Sequence, residues 1–260
     1  MDQNSISTSI LSFGYALIHD SALCQEINMY TYKLCLQYPT KFGFFATLPS
    51  INEASIPVVL SSLKFCFTNL NADGVTLFTS YEGNYLGEDL FRPLFEELNR
   101  LHAVILIHPI ANSTTTISSI EPSIPQMVDL AHEITRTAYS LIYSNIMSTY
   151  PNMKMILSHG GGTLSYISDS IENSVKKTVI DFRREARHFY ATSMDHNSVE
   201  MEIAKRFFGA KRIMYGSNFP FARERSDFRR AEVLRGLMHE SRTKNMEVMK
   251  ETATELFPRL

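Results

Sequence analysis

The sequence is poor in the features that mark whole classes of protein. It holds three cysteines in 260 residues, Cys24, Cys35 and Cys66. Their spacing fits neither a zinc site nor a disulfide framework, so reduced thiols and a cytoplasmic setting are expected. No lysine or arginine precedes Lys33, so the basic start of a secretory leader is missing from the sequence as given. No apolar run approaches the ~20 residues of a membrane span. The formal net charge is only −2, so neither a nucleic acid nor an anionic membrane surface is an expected partner. None of the eight histidines stands in a His-x-His or His-x-x-x-His pair. Repeats, low-complexity tracts and clear linkers are absent as well.

What is present is a core and a rhythm. Hydrophobic residues make up 44%, and the length is close to the ~250 residues of one α/β barrel. One domain over residues 1–260 is therefore expected. Seven short apolar runs read as strands: residues 7–13, 42–48, 74–79, 103–107, 153–157, 188–192 and 212–215. Ala103–Ile107 is the clearest, a continuous aliphatic run suited to a parallel strand buried on both faces. Helical periodicity lies between the runs. Leu90, Leu94, Phe95, Leu98 and Leu101 share one face, Met127 to Met147 spans one long helix, Val199, Ile203 and Phe207 make a stripe, and Phe228 to Phe257 is rich in helix formers. Alternating strands and helices predict a parallel sheet with βαβ crossovers. A closed (β/α)₈ barrel needs eight strands, so seven leave either a barrel lacking one strand or an open doubly wound sheet.

In such folds the working residues sit just past the carboxyl ends of strands. His108 follows Ala103–Ile107 there, placed to bind a metal or substrate, or simply to end the strand with a hydrogen bond. His159 follows Ser158 and opens His159-Gly160-Gly161-Gly162-Thr163. Three glycines allow positive φ and close backbone approach, and a helix starting near Thr163 would offer free N–H groups to an anion. A histidine beside that turn suits general acid–base work near a carboxylate. A phosphate loop is a weaker reading, because no Gly-Lys-Ser/Thr follows. Asn218 ends the last run, either at the mouth or as an ordinary turn residue.

Several segments together resemble a known family. They are residues 41–49 (KFGFFATLP), 81–87, 91–99, His108-Pro109, 157–164 (LSHGGGTL) and 214–222 (MYGSNFPFA). They are similar to the amidohydrolase-related family that contains amino-carboxymuconate-semialdehyde decarboxylase and 6-methylsalicylate decarboxylase. The resemblance runs from about residue 5 to the C-terminus. It implies a (β/α)₈ TIM-type barrel with a divalent metal, usually zinc, acting as a carboxy-lyase on a small aromatic or unsaturated carboxylic acid, often as a homodimer. It gives His108 the role of metal ligand and His159 that of catalytic acid–base. Gly160 and Gly161 could bring backbone close to the substrate, and Phe45, Tyr81, Phe219 and Phe221 are mouth-loop candidates for contact with a flat, partly apolar ligand that could equally be ordinary core residues.

The sequence also departs from the family pattern. The first-strand His-x-His is absent, which matches the count of seven strands. Asn218 stands where the family has a metal-binding aspartate, and Ser170 where it commonly has an arginine for the substrate carboxylate. A neutral amide oxygen is a poor zinc ligand, and a catalytic zinc needs about three protein donors. The chain alone is therefore expected to hold metal weakly or not at all. Two other functions stay open: a catalytically degenerate barrel that binds a ligand or pairs with an intact homologue, and an amidohydrolase-type hydrolase.

Overall fold

Every one of the seven apolar runs forms a strand. The structure, a computed structural model, describes residues 1, 6–14, 16–110, 124–174, 180–193, 198–217, 219 and 239–260. The strands among them are β1 (Ser9–Leu11), β2 (Phe42–Ala46), β3 (Gly74–Phe78), β4 (Ser80–Tyr81), β5 (Asn84–Tyr85), β6 (Val104–His108), β7 (Lys154–Leu157), β8 (Tyr190–Ser193) and β9 (Ile213–Tyr215). The helices are α1 (Ser21–Gln37), α2 (Ile56–Asn69), α3 (Arg92–Arg100), α4 (Ile124–Tyr143), α5 (Ile146–Thr149), α6 (Leu164–Ser174), α7 (Phe182–Ala186), α8 (Ser198–Phe208) and α9 (His239–Leu256).

The main sheet has seven strands in the order β1-β2-β3-β6-β7-β8-β9, and every neighbouring pair is parallel. The order never reverses. A doubly wound sheet reverses at a switch point, so the open alternative is excluded and the sheet curls as part of a barrel. Among the described residues β1 and β9 do not pair with each other. Among the described residues nothing bridges the wall between them.

The two faces of the sheet carry separate cores. Phe44, Ala46, Val75, Leu77, Ile105, Ile107, Met155 and Leu157 belong to the outer core, beneath the helices. Phe45, Val104, Ile156, Tyr190 and Met214 face the lumen and pack with Phe257. Strand residues alternate between the two sets, as the period of two requires. The C-terminal segment closes the lumen from below. Arg259 grips both carboxylate oxygens of Asp73 at 2.6 Å, and Asp73 also accepts the Phe44 N–H at 2.9 Å.

Two details differ from the sequence reading. The helix expected from Met127 to Met147 breaks into α4 and α5, because Asn145 lies at φ 52, a left-handed conformation that no α-helix continues through. The β4–β5 hairpin has no long alternating run to announce it. Its turn is Glu82-Gly83, with φ values of 52 and 86, the positive pair that a tight primed turn demands. No helix among the described residues is long and apolar enough to cross a membrane.

Candidate active site

The strand register sets the site. Phe78 pairs with His108 across β3 and β6, and His108 has the same parity as the lumen residues Val104 and Leu106. Its imidazole is therefore carried into the upper end of the lumen. One strand over, β7 ends at Leu157, and His159 follows in the connecting loop. The two rings face each other edge to face, with centroids 6.3 Å apart. Phe78 stands on the other side of His108 at the same centroid distance of 6.3 Å.

The His108 ring is oriented by its own chain. Its Nδ1 lies 2.9 Å from the Pro109 carbonyl oxygen, so Nδ1–H donates and the Nε2 lone pair is left for a ligand. This is how a neighbouring carbonyl fixes a histidine tautomer. Gly14, just past β1, packs on the ring: a Cβ there would sit 2.8 Å from Cδ2 and 2.9 Å from Nε2. Only a glycine lets the backbone come so close.

Burial governs the charge of both rings. It pushes the His159 imidazole down to about 4, with the nearby His108 lowering it further. It also lowers His108, against the opposing pull of the bond to Pro109. At pH 7 both are neutral, so each offers one acceptor and one donor nitrogen.

The glycine loop has a structural role of its own. His159, Gly160, Gly161 and Gly162 all have positive φ, from 51 to 80. The N–H groups of Gly161 and Gly162 bond to the carbonyls of Ser158 and His159, and that of Thr163 bonds to Thr135 Oγ1 at 2.8 Å. These three donors are committed inside the chain. A Cβ on Gly161 would strike the Phe208 ring at 2.6 Å, and one on Gly162 the Ala131 carbonyl oxygen at 2.1 Å. The glycines let the loop seat against α4 and α8, which holds His159 in a left-handed conformation that costs about 1–2 kcal/mol.

The other residues assigned to substrate are scattered. Phe45 lies deep in the lumen, not at the mouth. It pairs with Gly74, four residues before Phe78, about 13 Å down the strand at 3.3 Å per residue, and its ring packs on Phe257. Tyr81 is buried, its hydroxyl accepting the Phe78 N–H at 3.0 Å, and its ring lies between Phe78 and Phe91. It supports Phe78 from behind. Phe219 is 68% exposed. Ser170 is an exposed residue of α6. Asn218 and Phe221 lie outside the described residues. The sequence reading missed Gly14, signalled only by a lone glycine after the first strand, and Phe78, the last residue of β3. Two lumen-parity hydroxyls, Thr76 Oγ1 and Ser158 Oγ, are buried without a hydrogen-bond partner among the described residues.

A divalent metal has little to hold it here. Among the described residues no three His, Cys, Asp or Glu side chains converge on one point. His108 presents one free nitrogen, and among the described residues His159 is the imidazole that faces it. The described donors therefore do not fit a resident divalent metal, which requires about three protein ligands.

An all-parallel βα sheet curled as part of a barrel, with histidines at the carboxyl ends of adjacent strands, defines the class: an α/β-barrel protein. The chain belongs to the amidohydrolase family, whose model matches residues 16–259. It is 36% identical to decarboxylase yanB of Aspergillus niger, over all of this chain and 77% of that protein. It is 34% identical to 6-methylsalicylic acid decarboxylase of Penicillium expansum, over 99% of this chain and 84% of that one. Among solved structures it superposes on dihydroxybenzoic acid decarboxylase from Polaromonas, with bound manganese and 2-nitroresorcinol, at a TM-score of 0.78. That match has 22% identity and covers 99% of this chain and 83% of that one. The relatives are decarboxylases, so the family branch implied by the sequence motifs holds.

Proposed function

We propose that the chain acts as a carboxy-lyase on a small aromatic carboxylic acid bound at the mouth beside His108 and His159. The observation that carries this reading is the pair of neutral, facing imidazoles at the ends of β6 and β7. The 6-methylsalicylic and dihydroxybenzoic acids in the relatives' names support a ring that bears a hydroxyl beside its carboxylate.

In the reaction the bond between ring carbon and carboxylate breaks. The electron pair stays on the ring carbon, CO₂ leaves, and a proton takes its place. His159 supplies that proton. Burial keeps it neutral in the free chain, but a bound carboxylate favours the charged form. His159 thus takes a proton from solvent as the acid binds and passes it to the ring carbon. His108, its Nδ1–H tied to Pro109, accepts the phenolic O–H at Nε2. Zinc is the cation the resemblance implies and manganese the one in the Polaromonas relative. Neither fits the described donors, and no step here depends on one.

The scarcity of metal donors favours a second reading, a degenerate barrel that binds the acid without turnover. CO₂ release from 6-methylsalicylate and dihydroxybenzoates, with zinc or manganese added, separates the two. The carboxy-lyase reading predicts release from at least one acid, reduced 100-fold or so by His159→Gln, the size typical of a lost general acid. Binding of the acids by folded protein with no CO₂ from any of them leaves the degenerate barrel standing. A cytoplasmic setting belongs to the same proposal, supported by three buried, unpaired thiols. So does the homodimer that the resemblance implies.

A further inference from the structure

Thr79 is wholly buried and stands between β3 and β4, one residue past Phe78. It has the parity of Val75 and Leu77, whose side chains pack under the helices. A substrate at the mouth does not meet it, yet three of its polar groups are committed around His108. Its N–H donates to the His108 carbonyl oxygen at 3.0 Å. Its Oγ1 accepts the Ile110 N–H at 3.4 Å. Its own carbonyl oxygen accepts the hydroxyl of Thr137, a wholly buried residue of α4, at 2.8 Å. Pro109 has no N–H, so that of Ile110 is the first main-chain donor after His108.

The bond to Ile110 has a consequence because a peptide unit is planar. The Ile110 N–H and the Pro109 carbonyl share one plane, so a bond that holds the N–H also aims the carbonyl. That carbonyl accepts the His108 Nδ1–H at 2.9 Å. We propose that Thr79 is a positioning residue: through the Pro109–Ile110 peptide it holds His108 as the Nδ1–H tautomer, with the Nε2 lone pair free at the mouth. Thr137 steadies Thr79 from α4. A neutral imidazole has two tautomers, and the hydrogen bond at one nitrogen selects between them. Without Thr79 Oγ1 the peptide can turn and Nδ1–H loses its acceptor. The Nε2–H form, which takes no proton at Nε2, then becomes populated. The effect on turnover rests on the carboxy-lyase reading, in which Nε2 accepts the phenolic proton. The tautomer itself does not.

Imidazole ¹⁵N spectra of the metal-free chain at pH 7 test it, because a protonated ring nitrogen and a lone-pair nitrogen resonate far apart. The expected parent spectrum shows His108 with the proton on Nδ1. Thr79→Val keeps the side-chain shape and removes the acceptor. It should lower the ratio of the Nδ1–H to the Nε2–H form about fivefold, the worth of one ordinary hydrogen bond. Thr79→Ser keeps the hydroxyl and should restore the parent ratio, with His159 unchanged in both variants. A general loss of packing would disturb both histidines and would not be rescued by serine. The parent chain also decides without any variant: a His108 with its proton on Nε2, or an Ile110 amide that exchanges as fast as an exposed one, overturns the proposal. So does a Thr79→Val spectrum identical to the parent's, or a Thr79→Ser that recovers nothing. CO₂ assays of the parent test the reaction separately, so a chain without turnover sinks the carboxy-lyase reading and leaves the tautomer to decide this one.

Discussion

At the scale of single residues, position after a strand decided more than residue type. His108 and His159 were legible because each follows a recognisable buried strand, and the fold carries that position to the mouth. Phe45 and Tyr81 were not, because an aromatic residue looks the same in sequence whether it fills the lumen floor, backs another ring or meets a ligand. The glycines show the same limit. Their need for positive φ could be read, but not that Gly162 abuts the Ala131 carbonyl. This gives a contrast to measure. Gly162→Ala meets backbone oxygen at 2.1 Å in addition to a φ of 64 and should cost upwards of 3 kcal/mol or so in urea unfolding. Gly83→Ala has φ 86 but nothing within 4 Å, and should cost only about 1 kcal/mol. Equal losses would show that strain alone, and not the seat against α4, makes glycine necessary in the His159 loop.

At the scale of elements, strands were legible and breaks were not. Continuous aliphatic runs fix a strand by burial on both faces, whereas the split between α4 and α5 depends on one asparagine adopting a left-handed turn. The packing of α1 and α2 can be tested through their cysteines. Burial pushes the Cys66 thiol up to about 12, and burial with the Asp20 charge takes Cys24 to about 11. Cys35 is raised by burial as well. Since the thiolate is the nucleophile, iodoacetamide at pH 8 should leave all three intact in folded protein and modify all three in urea. Rapid modification of Cys24 or Cys66 without denaturant would mean that these helices do not pack as described.

At the scale of the whole molecule, the seven-strand count was already in the sequence, and the unreversed strand order settled barrel over doubly wound sheet. Which histidines meet was not readable, because it depends on the register of β3, β6 and β7. The account turns on the His108–His159 pair, and a ¹⁵N imidazole NMR titration of the metal-free chain addresses it directly. The account predicts that the His159 resonance titrates near pH 4. A hydroxybenzoate should move both imidazoles together and raise the His159 midpoint, since the added carboxylate favours the imidazolium. A His159 that titrates like a free imidazole, or a ligand that shifts neither ring, would contradict it.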